Sequence, residues 1–155
     1  LRNTNKKEVI KMSYNDTVEL LKECNSGIKM GVNSLDSVQK KKKNENMKKS
    51  LNACKDEHAT LGDETHRMLR EKKAETKDPH PVARTMASMK TKVKMMMNES
   101  DKTIADVMTD GCNMGVKSLC KYKNQYVAAD DKSVQMCEKL CDLETKMTKE
   151  LQEFL

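Results

Sequence analysis

An all-α protein is what this sequence predicts, on three observations. Lys, Glu, Met, Leu and Ala dominate, whereas two prolines, no tryptophan and one phenylalanine argue against a β-sandwich or barrel. Apolar residues recur at spacings of three and four along several stretches, the period of a helix with one buried face. Residues 27–35 (GIKMGVNSL) also return eighty-four positions later as residues 111–119 (GCNMGVKSL), a shared GxxMGVxSL pattern that marks an internal duplication. Four of the five glycines fall in the two copies. Each should cost roughly 1 kcal/mol relative to alanine within a helix, so close helix contact is the expected compensation.

The duplication continues past the glycines. Residues 50–55 (SLNACK) resemble residues 133–138 (SVQMCE) at an offset of eighty-three, one fewer than before, as a single-residue loop deletion would produce. Each copy then reads as a helical hairpin, 16–41 with 45–71 and 101–126 with 130–155, and the two hairpins together predict a four-helix bundle. With 36% hydrophobic and 35% charged residues in a chain of 155, one domain with a modest core is expected.

The elements follow in chain order. Residues 1–12 are expected outside the bundle, either as a disordered tail or as translated leader preceding a start at Met12. On the leader reading the formal charge falls from +6 to +3. In the first helix Leu21, Cys24, Ile28, Gly31, Leu35 and Val38 form one inward stripe, while Glu19 and Glu23 lie off it. Its copy in the third helix is Ala105, Met108, Cys112, Gly115, Leu119 and Tyr122. Lys40 to Lys43, with Lys48 and Lys49, occupy the first turn, where they complement the carbonyl end of the helix before them. Met47, Leu51, Cys54, His58, Leu61, Thr65 and Met68 give the second helix a heptad-like stripe. The repeat frame assigns Val134, Cys137, Cys141, Glu144, Thr148 and Leu151 to the corresponding stripe of the fourth.

Between the copies, Asp78 and Pro79 supply a helix start, with His80 beside them, and a methionine-rich segment at 76–98 follows. Asn98-Glu99-Ser100-Asp101 either recaps the chain there or is passed through by one long helix over 79–126. A long helical crossover is needed if the second hairpin starts at the opposite end of the bundle. Paired hairpins, duplicated sequence and a long middle connection resemble the ferritin-like superfamily, in particular its small bacterial four-helix-bundle proteins. The resemblance covers residues 13–155 and implies a ferritin-like bundle with hairpins 16–71 and 101–155.

Di-iron members of that superfamily use a glutamate from each of two helices and Glu-x-x-His from each of the other two. That set is missing: the second helix offers only Asp63-x-x-His66 and the fourth has no histidine. A different group stands in its place. Cys54 with His58, and Cys137 with Cys141, are four apart on their helices, are equivalent in the repeat, and with the central Cys112 are candidates for zinc or another soft metal, or for thiol redox chemistry. The plainer reading of the same residues is core packing, since free cysteine behaves as a small hydrophobe.

No GxSxG, HExxH or P-loop is present, so a non-enzymatic binding, assembly or stress-associated role is expected, without a cofactor. Met86, Met89 and Met95 to Met97 suggest a face for a homo-oligomer or another protein partner. Nucleic acid is not expected as a partner, because Tyr14, Tyr122, Tyr126 and Phe154 are the only aromatics for base stacking. No stretch approaches the roughly 18 apolar residues of a membrane span, and no signal-peptide stretch stands at the start. The expected compartment is the cytoplasm, with free thiols.

Overall fold

A computed structural model describes residues 2–41, 44–74 and 100–155, with residues 2–4 described by backbone alone. Among the described residues all regular structure is helical: α1 (Arg2–Gln39), α2 (Glu45–Glu71), α3 (Asp101–Gln125) and α4 (Asp131–Leu151), which runs into a 3-10 turn at Gln152–Phe154. The expected crossover at 76–98, with Met86, Met89, Met95 to Met97 and His80, lies outside the described residues, as do Lys42 and Lys43.

Three helices start on a side-chain cap that supplies an oxygen to an otherwise orphaned amide. Asn44 accepts from the Asn46 amide, Ser100 from that of Thr103 and Asp130 from that of Ser133. Ser100 is itself extended, so α3 begins there and no helix runs unbroken over 79–126. At the end of α2 the amides of Lys73 and Ala74 return to the carbonyls of Arg70 and Leu69, a Schellman closure with Lys73 in the left-handed region at φ 54°.

Residues 2–12 are not a disordered tail but the first turns of α1. They contain neither Pro nor Gly, so nothing in them stops the helix, although residues 5–12 are all exposed. Among the described residues the first side-chain hydrogen bond from α1 to another element is that of Tyr14, whose hydroxyl donates to the Lys72 carbonyl at 2.7 Å.

The direction of each helix follows from contacts at the two ends. At one end Asp16 accepts from the Ala128 amide at 2.9 Å and Thr17 from the Asp130 amide at 2.8 Å, beside the Tyr14 to Lys72 bond. At the other, Asp101 accepts from the Asn44 amide at 3.0 Å. Hence α1 and α4 run parallel, α2 and α3 run against them, and the four pack as α1 on α2, α3 and α4, with α4 also on α2 and α3. Residue 74 and residue 100 consequently stand at opposite ends of the bundle.

The core holds most of the expected stripes of α1, α2 and α3, with Leu21, Leu35 and Leu51 fully enclosed, while Gly31, Leu61, Gly115 and Tyr122 are half-buried and Ile104, outside the expected stripe, is fully enclosed. Two expectations need correction. On α4 the buried stripe is Ser133, Met136, Cys137, Leu140, Leu143, Glu144, Met147 and Leu151, while Val134, Cys141 and Thr148 are only half-buried. The helix obeys its own three-and-four spacing rather than the frame borrowed from α2. Glu23, expected off the inward stripe, is 2% exposed, because α1 packs against three helices and therefore buries a wider arc than one stripe.

Candidate functional site

Halfway along α2, His58 is 2% exposed and has oxygen acceptors at both ring nitrogens. Nδ1 donates to the Cys54 carbonyl at 2.8 Å, one helical turn back, and lies 3.4 Å from the Cys54 sulfur. Nε2 is 2.7 Å from Glu144 Oε1 on α4. With an acceptor at each end the ring holds both protons, and the pair is a buried imidazolium and carboxylate. Burial alone lowers the imidazole pKa, but the hydrogen bonds to Cys54 and Glu144 and the Glu144 charge outweigh it and raise it to about 10.

The other two helices close over this pair. Gly31 of α1 presses on the ring: a Cβ there would stand 2.6 Å from Nε2 and 2.7 Å from Cδ2, inside contact distance. From α3, Gly115 faces the Glu144 side chain, where an added Cβ would be an ordinary 3.6 Å away. Cys112, also on α3, bonds the same carboxylate; burial and the Glu144 charge push its thiol up, so it stays protonated. All four helices therefore meet at His58 and Glu144.

A cavity of about 60 Å³ opens beside the pair, between α1 and α3. From α1 it is lined by Gly27, Met30, Gly31, Ser34 and Leu35, and from α3 by the five residues eighty-four positions further on. The two copies of GxxMGVxSL thus face each other across one slot, the glycines and serines leaving room that larger side chains would fill. Glu23 lines it too, with Oε2 buried and accepting no hydrogen bond among the described residues, and burial together with the Glu23 charge pushes the nearby Tyr122 hydroxyl up to about 12.

The five candidate metal residues do not form one cluster. Cys54, His58 and Cys112 gather around Glu144, whereas Cys137 and Cys141 belong elsewhere. Register explains the separation. Glu57 meets Lys146 and Glu64 meets Lys139 across α2 and α4, so Cys54 is level with residue 149, about 18 Å along the bundle from Cys137 at 1.5 Å per residue. Repeat-equivalent residues on antiparallel helices fall on opposite sides of the middle, not opposite each other. Among the described residues no three His, Cys, Asp or Glu side chains are disposed to hold one metal ion. A di-iron centre does not fit either, since both nitrogens of His58 are committed to protein oxygens.

Glu23 and Tyr122 are the lining residues whose place sequence reasoning missed or left without a role. The repeat carried a signal for the first: eighty-four positions on from Glu23 stands the apolar Val107, packed on the core. Among the described residues no helix is long and apolar enough to cross a membrane. Compared with known proteins, the chain matches no family model, no curated protein and no solved structure.

Proposed function

We propose that this chain is a ferritin-like bundle of duplicated hairpins that has no di-iron centre and acts as a non-enzymatic binding protein, holding a small, uncharged, mainly apolar molecule in the slot between α1 and α3. The ferritin-like part of the reading is supported by the antiparallel α1–α2 and α3–α4 hairpins, packed with α1 parallel to α4, and by the opposite-end positions of residues 74 and 100, which call for a long connection.

The binding part rests on one observation, the lining of a single slot by the same five positions of both repeats. Its volume of about 60 Å³ is below the ~150 Å³ of a cavity that holds benzene, so the slot admits a fragment-sized guest only as its walls give way. The walls are dominated by Met30, Met114, Met108 and Met147, whose flexible thioethers adjust to an apolar guest, and Ser34 and Ser118 offer hydroxyls at the edge. With His58 satisfied by Glu144, the slot offers mainly apolar surface, with Glu23 Oε2 as an open acceptor in its wall.

Benzene and 1-butanol titrated into protein carrying 13C-methyl methionine provide the test. Saturable shifts of the Met30 and Met114 methyls, lost in a Gly115→Leu variant that fills the slot, are expected. Shifts that do not saturate, or that persist unchanged in Gly115→Leu, would overturn the reading.

A further inference from the structure

The remaining cysteines mark a second site, independent of the slot. All six cysteines are free thiols. Four of them, Cys24 of α1, Cys120 of α3 and Cys137 and Cys141 of α4, follow one another from the core to the surface. The register fixes their order. Between the parallel α1 and α4, Thr17 meets Asp130 and Gly27 faces Leu140, which sets Cys24 level with Cys137. Cys141 is one turn along α4 from Cys137, on the same side of the helix. Across the antiparallel α3 and α4, Lys123 pairs with Glu138 at 3.4 Å, and three residues on from each partner, towards one another's level, stand Cys120 and Cys141.

We propose that Cys120 and Cys141 are a reversible thiol–disulfide site that closes across the α3 and α4 seam when the protein meets a hydroperoxide. Cys120 is exposed and Cys141 half-buried, so the first is open to the oxidant and the second is sheltered behind it. The two side chains lie near enough for Cys120 to bear on the Cys141 thiol, as Cys137 does from the core side. Packed helices with axes ~8–10 Å apart bring facing Cα atoms at a seam within the span a disulfide requires.

The chemistry balances with the hydroperoxide as oxidant. The Cys120 thiolate attacks one peroxide oxygen, the O–O bond breaks, and the departing oxygen takes a proton and leaves as water or alcohol. Cys141 sulfur then attacks the sulfenic sulfur of Cys120; the S–O bond breaks and hydroxide leaves as water with the Cys141 proton. Each sulfur gives up one electron and each peroxide oxygen gains one. Burial and the bond to Cys137 push the Cys141 thiol up, which assigns the first attack to Cys120 and the second, resolving step to Cys141.

Full-length protein treated with hydrogen peroxide, quenched in acid, alkylated and mapped without reductant reads the site directly. A Cys120–Cys141 cross-linked peptide is expected, removed by dithiothreitol, absent from Cys120→Ser and retained in Cys137→Ser. Cys120 is exposed, so its serine variant should keep the parent's melting temperature, and that measurement accompanies the map. A cross-link between any other pair, a Cys120 that stops at sulfinic acid, or Cys120 joined only to another molecule's Cys120 would each overturn the proposal.

Discussion

At the scale of the residue, Gly31 and His58 explain each other. The imidazole reaches Glu144 only because position 31 has no side chain, and an added Cβ would overlap Nε2 at 2.6 Å. Gly31→Ala should therefore destabilise by about 1–3 kcal/mol, the usual range for overpacking, even after the better helix propensity of alanine is counted. Gly115→Ala meets Glu144 at an ordinary 3.6 Å and should instead gain up to roughly 1 kcal/mol. Urea midpoints at unchanged m-value separate the two outcomes. The same pair sets a pH dependence. His58 titrates at about 10 when folded against an ordinary 6.5, so its contribution is fully present below pH 6.5 and is lost as pH rises through about 10. The groups facing it are Cys54, Glu144 and Cys112, and the last remains protonated through that window. Glu144→Gln should flatten the fall in urea midpoint between pH 6.5 and 10, whereas Glu144→Ala, which leaves the imidazolium buried alone, should cost about 3–5 kcal/mol at neutral pH. A slope identical in wild type and Glu144→Gln would remove His58 as its source.

At the scale of the element, the starts of α2, α3 and α4 were legible, the start of α1 was not, and helix faces were legible only in part. Ser100 caps α3 within the Asn98–Asp101 stretch where a cap was expected, and Asp130 caps α4 where that helix was expected to begin, because a short side-chain oxygen before a helix is a local signal that tertiary packing does not alter. The α4 stripe was misread because it was taken from its repeat partner. Met136, Leu140, Leu143 and Met147 show the true face by their own spacing, and α4 contacts three helices in an arrangement its partner does not share. The α2 terminus hid a different feature. Lys73 occupies the left-handed region that glycine favours, a conformation costing a side-chain-bearing residue about 1–2 kcal/mol. Lys73→Gly should raise stability by about 1 kcal/mol, measurable as a higher melting temperature, while Lys73→Val should lower it. Equal melting of all three proteins would mean that the Schellman closure opens in solution.

At the scale of the molecule, the sequence carried the four helices of the described residues and their pairing within hairpins, but not the offset between α2 and α4 that separates Cys54 from Cys137. That offset is set by contacts between distant residues, Thr17 with Asp130 and Asp101 with Asn44 among them, and no local pattern encodes it. These end contacts also divide α1 into two parts with different work. Residues 5–12 are exposed, with Val9 and Ile10 at 56% and 61%, and lie beyond the Tyr14 bond to Lys72. Thr17, at 1% exposure, supplies the oxygen that satisfies the Asp130 amide at the entrance to α4. Deleting residues 2–11 should accordingly change stability by no more than ~0.5 kcal/mol, the range of surface changes. Thr17→Val keeps the shape, strands that amide and should cost about 1–3 kcal/mol. Chemical denaturation of the two proteins side by side tests the division: if the deletion lowered the midpoint as far as Thr17→Val does, the first turns of α1 would be part of the stabilising core and not an extension beyond it.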